Sequence, residues 1–79
     1  MPHIIVKMYK GRSEEMKADM TQRITAAVKE SLKLEESTIS IAIEEFSPEE
    51  WLEKVYMPDI VEKPGQIRKK PGYDPRSKK

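Results

Sequence analysis

Two segments in which apolar residues alternate with other residues flank one long segment of helical periodicity. The first, residues 2–9, and the second, residues 38–46, are rich in β-branched residues, which favours strands. The apolar residues of one strand face are Ile4, Val6 and Met8 in the first segment and Ile39, Ile41 and Ile43 in the second. This order predicts a β-α-β unit with two parallel strands and a right-handed crossover.

The segment between the strands has a helix start and a single apolar stripe. Lys10-Gly11-Arg12 predicts a turn, and Ser13 stands at an N-cap position, followed by two acids where the helix dipole favours them. The stripe consists of Met16, Met20, Ile24, Ala27, Val28 and Leu32. We therefore expect a long helix of about five turns, and an α+β fold.

A second, shorter helix is expected after the second strand. Ser47 is placed to cap it, Pro48 to take its first position, and Glu50 to complete a capping box. Pro58 and then Pro64-Gly65 are expected to punctuate the chain after this short C-terminal helical extension. From Lys70 onward the composition predicts an extended or disordered tail. We divide the chain into one domain, residues 1–68, and a basic C-terminal tail, residues 69–79.

Composition excludes several kinds of chemistry. The 79 residues include no cysteine and a single histidine, His3, so disulfides, thiolate catalysis and a multi-histidine metal site within one chain are excluded. We expect no metal and no cofactor. No apolar run approaches the roughly 20 residues of a membrane span, and no secretory signal pattern is present. A cytoplasmic protein without membrane contact is the expectation.

The basic residues are concentrated at one end. Seven basic residues and one acid lie between Lys63 and Lys79, although the whole chain has 15 basic and 14 acidic residues. Such a segment can bind nucleic acid or anions, or serve solubility or subunit contact. We prefer solubility or subunit contact, because the strands carry no aromatic platform for single-stranded nucleic acid.

One helix covers only one face of a two-stranded sheet. Ile5, Tyr9 and Ala42 are expected on the other face. Two parallel strands are not a stable isolated sheet, so we expect the chain to self-associate.

Pro2 follows the initiator methionine directly. If Met1 is removed, the Pro2 nitrogen becomes a secondary amine, a group that no internal proline offers. An amino-terminal amine has a reference pKa of about 7.7–8.0, and burial or a nearby cation lowers it toward neutrality, where a general base works best.

Several motifs together resemble the tautomerase superfamily, whose archetype is 4-oxalocrotonate tautomerase. They are Met1-Pro2-His3-Ile4, Gly11-Arg12-Ser13, Ser40-Ile41-Ala42-Ile43, Ser47-Pro48-Glu49-Glu50-Trp51 and Lys69-Lys70-Pro71-Gly72-Tyr73. The later motifs are similar to those of the small bacterial tautomerases of the PptA type. The resemblance implies a tautomerase that moves a proton between the enol and keto forms of small 2-oxo or 2-hydroxy carboxylic acids.

The resemblance also implies roles for four residues. Pro2 would be the general base, Arg12 would bind the substrate carboxylate, and Trp51 would keep the proline site apolar. The archetype's second arginine, which polarises the carbonyl oxygen, corresponds to Ser40. This departure leaves three donors open, namely the Ser40 hydroxyl, a backbone amide or a water. Resemblance to the longer branch of the family, whose members have an extra C-terminal segment, implies a homodimer rather than a hexamer.

Each of these residues also has a structural interpretation. Arg12 is then a solvated turn residue, Trp51 a core or interface residue, Ser40 a small interface residue and His3 a strand-surface residue. Tyr73 is a candidate anchor for the tail. Two other functions remain open: hydratase, dehalogenase or decarboxylase chemistry at the same site, and a non-enzymatic oligomeric anion-binding module.

Overall fold

A computed structural model describes residues 1–76 of the chain. These residues form two compact units, one from Met1 to Glu45 and one that begins at Phe46. The predicted division at residue 68 stays a prediction, and residues 77–79 of the predicted tail lie outside the described residues.

The first unit is the predicted β-α-β arrangement. Strand β1 spans His3–Tyr9, helix α1 spans Glu14–Leu32, a 3-10 turn spans Glu36–Thr38, and strand β2 spans Ser40–Phe46. The two strands pair in one parallel sheet. The strands, the long helix and the further short helix confirm the predicted α+β class.

Helix α1 begins and ends as local chemistry dictates. The Ser13 hydroxyl accepts a hydrogen bond from the Met16 amide at 3.1 Å, which satisfies one of the free amides of the first turn. At the other end Lys33 adopts a left-handed conformation with φ 58°, and its amide donates to the Lys29 carbonyl. The helix therefore has the five-turn length that its apolar stripe predicts.

Strand β2 is shorter than expected, because Thr38 and Ile39 are not part of it. The Thr38 amide and hydroxyl both donate to the Glu35 carbonyl, at 3.1 and 2.7 Å. A threonine that bonds to the chain three residues back competes with strand pairing. The strand therefore begins at Ser40, whose amide donates to the Pro2 carbonyl at 3.1 Å.

The second unit differs from prediction after its short helix. Helix α2 spans Pro48–Trp51 with the predicted capping box, but the chain continues as a π-helical segment, Leu52–Val61, through Pro58. The Glu62 amide closes this segment on the Met57 carbonyl at 3.0 Å. Pro58 therefore does not end the helix, because the wider turns accommodate it and Val55 and Tyr56 anchor the segment at 4% and 5% exposure.

The C-terminal segment of the described chain contacts this π-helical segment. The Tyr56 and Tyr73 rings lie 5.6 Å apart, and the Tyr56 hydroxyl donates to the Tyr73 carbonyl at 3.4 Å. The Arg76 guanidinium lies 5.4 Å from the centre of the Tyr56 ring and donates two hydrogen bonds to the Asp74 carboxylate, each 3.0 Å long. Tyr73 thus anchors the C-terminal segment of the described chain, and residues 71–76 are neither a strand nor a helix.

Candidate functional site

The amino-terminal edge of the sheet brings together the Pro2 carbonyl, the His3 ring and Ser40. The Ser40 amide donates to the Pro2 carbonyl at 3.1 Å, and the Ser40 Oγ lies 2.7 Å from the His3 Nδ1. This pairing follows from parallel register, because His3 and Ser40 are the first residues of β1 and β2. Pro2 is half-buried there, whereas Met1 is 93% exposed.

The contacts of Ser40 show which of its hydrogen-bonding groups are already used. Its backbone amide already donates to Pro2, so this amide is not available. Its hydroxyl retains hydrogen-bonding capacity, because a hydroxyl has one donor and two acceptor positions. His3 lies on the strand surface, as its structural interpretation predicts, and its ring contacts the Ser40 hydroxyl.

Arg12 lies beyond the opposite end of β1. Gly11 makes the turn possible with φ 118°, a conformation that costs a side chain-bearing residue strain. Arg12 borders an open cavity of about 320 Å³ whose other lining residues are Val6, Met8, Met16, Lys17 and Met20. The Arg12 side chain is exposed and makes no ion pair with any residue in the described range 1–76.

Lys17, the other cation at this cavity, is already neutralised. Its Nζ lies 2.9 Å from Glu14 and 3.1 Å from Glu45, and its side chain is 14% exposed. The hydrogen bonds to Glu14 and then to Glu45 raise the pKa of Lys17 above its ordinary value. Lys17 therefore stays protonated and paired, which leaves Arg12 as the cation available to an anionic ligand at this cavity.

Pro2 and Arg12 of one chain are far apart. Their backbones flank β1, a seven-residue strand that is roughly 20 Å long at about 3.3 Å a residue. A small carboxylic acid does not bridge such a distance. The first unit thus brings Pro2, His3 and Ser40 together and places Arg12 elsewhere.

Trp51 belongs to the second unit and is held from two sides. Its indole Nε1 donates to the Tyr73 hydroxyl at 2.9 Å, and the Phe46 ring meets it edge to face with centres 6.2 Å apart. The ring is half-buried. Because Tyr73 is also packed on Tyr56, the C-terminal segment fixes the orientation of the indole.

The sequence predictions missed two partners, each for a different reason. The parallel register would have placed His3 opposite Ser40, so that pairing was present in the pattern. The bond between Trp51 and Tyr73 joins residues 22 positions apart across an irregular segment, and no periodicity predicts it. No group of three or more metal-ligating side chains occurs within residues 1–76.

No helix among the described residues has both the length and the apolar character that a membrane span requires.

Comparison with known proteins agrees with this fold. A family model described as tautomerase enzyme matches residues 2–58. The chain therefore belongs to the tautomerase family, a family of isomerase-type enzymes.

Relatives match over nearly the whole chain. A probable tautomerase of Xylella fastidiosa is 40% identical over 73 residues, which cover 92% of this chain and 89% of that protein. The tautomerase PptA of Cronobacter sakazakii is 31% identical over 75 residues, or 94% of this chain and 99% of that protein. Closeness to the PptA-type tautomerases is thus confirmed.

Solved structures share the fold. YwhB, a homologue of 4-oxalocrotonate tautomerase, matches with a TM-score of 0.57 and 39% identity over 58% of this chain and 75% of its own. TomN, a 4-oxalocrotonate tautomerase homologue of the tomaymycin biosynthetic pathway, matches with a TM-score of 0.62 and 34% identity over 63% of this chain and 77% of its own.

Proposed function

We propose that the chain, once Met1 is removed, is a keto–enol tautomerase whose general base is the amine of Pro2. The observation that carries this proposal is that the match to the tautomerase family begins at residue 2, as expected for an enzyme whose processed chain starts at Pro2. The substrates are small 2-oxo or 2-hydroxy carboxylic acids. The reaction moves one proton between oxygen and carbon over a 1,3- or 1,5-relationship.

The surroundings of Pro2 support this role. Met1 is 93% exposed and so within reach of an aminopeptidase. The hydrogen bond from the Ser40 amide to the Pro2 carbonyl fixes Pro2 at the edge of the sheet. The ring nitrogen of Pro2 therefore has a defined position. A base held in this way needs little reorientation before it takes the proton and returns it.

Arg12 is the proposed binding residue for the substrate carboxylate. An exposed arginine without a carboxylate partner offers a planar pair of donors that matches a carboxylate. Its positive charge also disfavours the protonated amine and lowers the pKa of Pro2 in the complete site. Since Pro2 and Arg12 of one chain lie at opposite ends of β1, the Arg12 that serves a given Pro2 comes from a second copy.

Self-association is therefore part of the proposal, and a homodimer is preferred to a hexamer. The uncovered sheet face supports it, because Ile5 and Tyr9 on that face are 48% and 44% exposed. In the assembled enzyme Trp51 is the proposed apolar wall of the site, and Ser40 provides the donor for the carbonyl oxygen.

The test is the Pro2→Ala variant, assayed with an arylpyruvate enol by loss of enol absorbance after mass spectrometry has established removal of Met1. Alanine offers a primary amine that is more basic and less rigid, so we expect kcat/KM to fall by about 100-fold or more, the range of a lost general base. The matched control is Pro64→Ala, at an exposed proline of the second unit. A Pro2→Ala variant as active as the unchanged chain would overturn the proposal.

A further inference from the structure

We propose that His3 is a positioning residue that makes the Ser40 hydroxyl a hydrogen-bond donor to the carbonyl oxygen of the substrate. This inference rests on the proposed function. It assigns a role to the chain's single histidine, and it accounts for how a neutral serine takes the place of a charged side chain.

The first step is the geometry of the pair. The His3 Nδ1 and Ser40 Oγ atoms are 2.7 Å apart, a short distance for an N···O hydrogen bond. The two side chains lie on the same face of the sheet, next to the Pro2 carbonyl that accepts from the Ser40 amide. The serine hydroxyl and the proline are thereby held at the same end of adjacent strands.

The second step is an inventory of protons. A neutral imidazole carries its proton on one nitrogen, and the serine hydroxyl has one proton of its own. If Nδ1 bears the imidazole proton, it donates to Oγ, and the Ser40 O–H remains free for another acceptor. If Nε2 bears it, Ser40 donates its only proton to Nδ1 and has none for a substrate.

The third step is the chemistry that this donor serves. Negative charge grows on the carbonyl oxygen as the amine removes a proton, and a donor placed in advance stabilises that charge most in the transition state. The Ser40 amide is occupied by Pro2, so the hydroxyl is the remaining donor of this residue. A hydrogen bond received from Nδ1 polarises the hydroxyl and makes it a better donor. The inference therefore requires the Nδ1–H tautomer.

Nitrogen-15 NMR of the processed chain measures this tautomer directly, and the single histidine makes the assignment unambiguous. The spectrum is recorded at a pH above the midpoint of the His3 titration in the same sample. We expect the Nδ1–H form. The Nε2–H form would overturn the inference, because the Ser40 hydroxyl would then donate its only proton to His3 Nδ1.

Kinetics on the arylpyruvate enol test the role in catalysis. We expect Ser40→Ala to lower kcat roughly 10- to 100-fold with little change in KM, as for a lost transition-state donor. His3→Phe should lower kcat about 3- to 10-fold, the effect of one net hydrogen bond. His3→Asn should restore most of that loss, because the asparagine amide nitrogen occupies the place of Nδ1, whereas His3→Gln should not.

Two further comparisons complete the test. Adding His3→Phe to Ser40→Ala should produce no additional loss, since His3 acts through Ser40. The control is Glu30→Gln on helix α1, at an exposed acid that makes no ion pair within residues 1–76. A full additional loss in the double variant, or unchanged kcat in His3→Phe, would overturn the role of His3. An inactive unchanged chain would overturn the proposed function itself, and the role with it.

Discussion

Arg12 differs from Lys17 and Arg23, two cations of α1, in its surroundings. Lys17 is paired with Glu14 and Glu45, and Arg23 donates to Asp19 at 2.8 Å. Arg12 is exposed and makes no such pair within the described part of the chain. A cation that the fold leaves unneutralised beside an apolar cavity is suited to an anionic ligand that also has an apolar part.

The Arg12→Ala variant should bind carboxylate substrates more weakly. A hydrogen bond to a charged group contributes about 1.5–3 kcal/mol, so we expect KM to rise roughly 10- to 100-fold with a smaller change in kcat. Arg12→Lys should recover part of the loss, because lysine keeps the charge and loses the planar pair of donors. Steady-state kinetics measure both effects.

The control for this experiment is Arg23→Ala, which removes an exposed arginine from the same unit. Its side chain is 80% exposed and paired within α1, so KM should not change. An Arg12→Ala variant with the KM of the unchanged chain would remove Arg12 from the site.

At the scale of elements, the start of helix α2 depends on an acid with an altered pKa. The Glu50 carboxylate accepts a hydrogen bond from the Ser47 amide at 2.8 Å and lies 3.0 Å from the Lys54 Nζ. The bond from the Ser47 amide, followed by that from Lys54, lowers the pKa of Glu50 to about 2. The charged form of Glu50 is therefore favoured in the folded chain.

This shift predicts how stability depends on pH. Because the pKa is lower in the folded state, the contribution of Glu50 is complete above its ordinary value of 4.5 and is lost as the pH falls toward about 2. Thermal unfolding measured between about pH 5 and about pH 2 should show a smaller fall in Tm for Glu50→Gln than for the unchanged chain. Glutamine keeps an acceptor for the Ser47 amide but does not titrate.

Glu49→Gln is the matched control, because Glu49 is exposed and makes no hydrogen bond or ion pair within residues 1–76. Its Tm should fall with pH as that of the unchanged chain does. If Glu50→Gln showed the same fall as Glu49→Gln, the capping carboxylate would not be the source of the pH dependence.

The elements also show where sequence reasoning works. Helix α1 was predictable, because Ser13 caps it and its apolar residues recur at steps of three and four. The start of β2 was not predictable, because the strand propensity of Thr38 is outweighed by the hydrogen bond from its hydroxyl to the Glu35 carbonyl. The passage of helix through Pro58 was not predictable either, since it depends on the burial of Val55 and Tyr56.

At the scale of the whole molecule, the chain exposes apolar surface that a second copy is suited to cover. No residue between Met1 and Glu45 is buried, although α1 lies on one face of the sheet. Ile5 and Tyr9 on the other face are about half exposed. Burial of such apolar area is the main driving force of association, so the proposed dimer covers apolar surface that residues 1–45 of one copy leave exposed.

The candidate site was predictable only in part, because the proposed site needs a second copy of the chain. Pro2, Arg12, Ser40 and Trp51 were identified as separate residues, and parallel pairing brings Pro2 next to Ser40. Parallel pairing does not locate Arg12 relative to Pro2, because Arg12 follows the far end of β1. Whether two residues share a site in an oligomer depends on contacts between copies, which periodicity within one chain does not contain.

The central claim is that the free amine of Pro2 carries the reaction. The most direct measurement compares two chemically synthesised chains, Pro2–Lys79 and Met1–Lys79, on the same arylpyruvate enol at equal concentration. In the longer chain the Pro2 nitrogen is an amide without basicity. We predict turnover by the shorter chain and a kcat/KM lower by about 100-fold or more for the longer one, the range of a lost general base. Equal activity of the two chains would contradict the account.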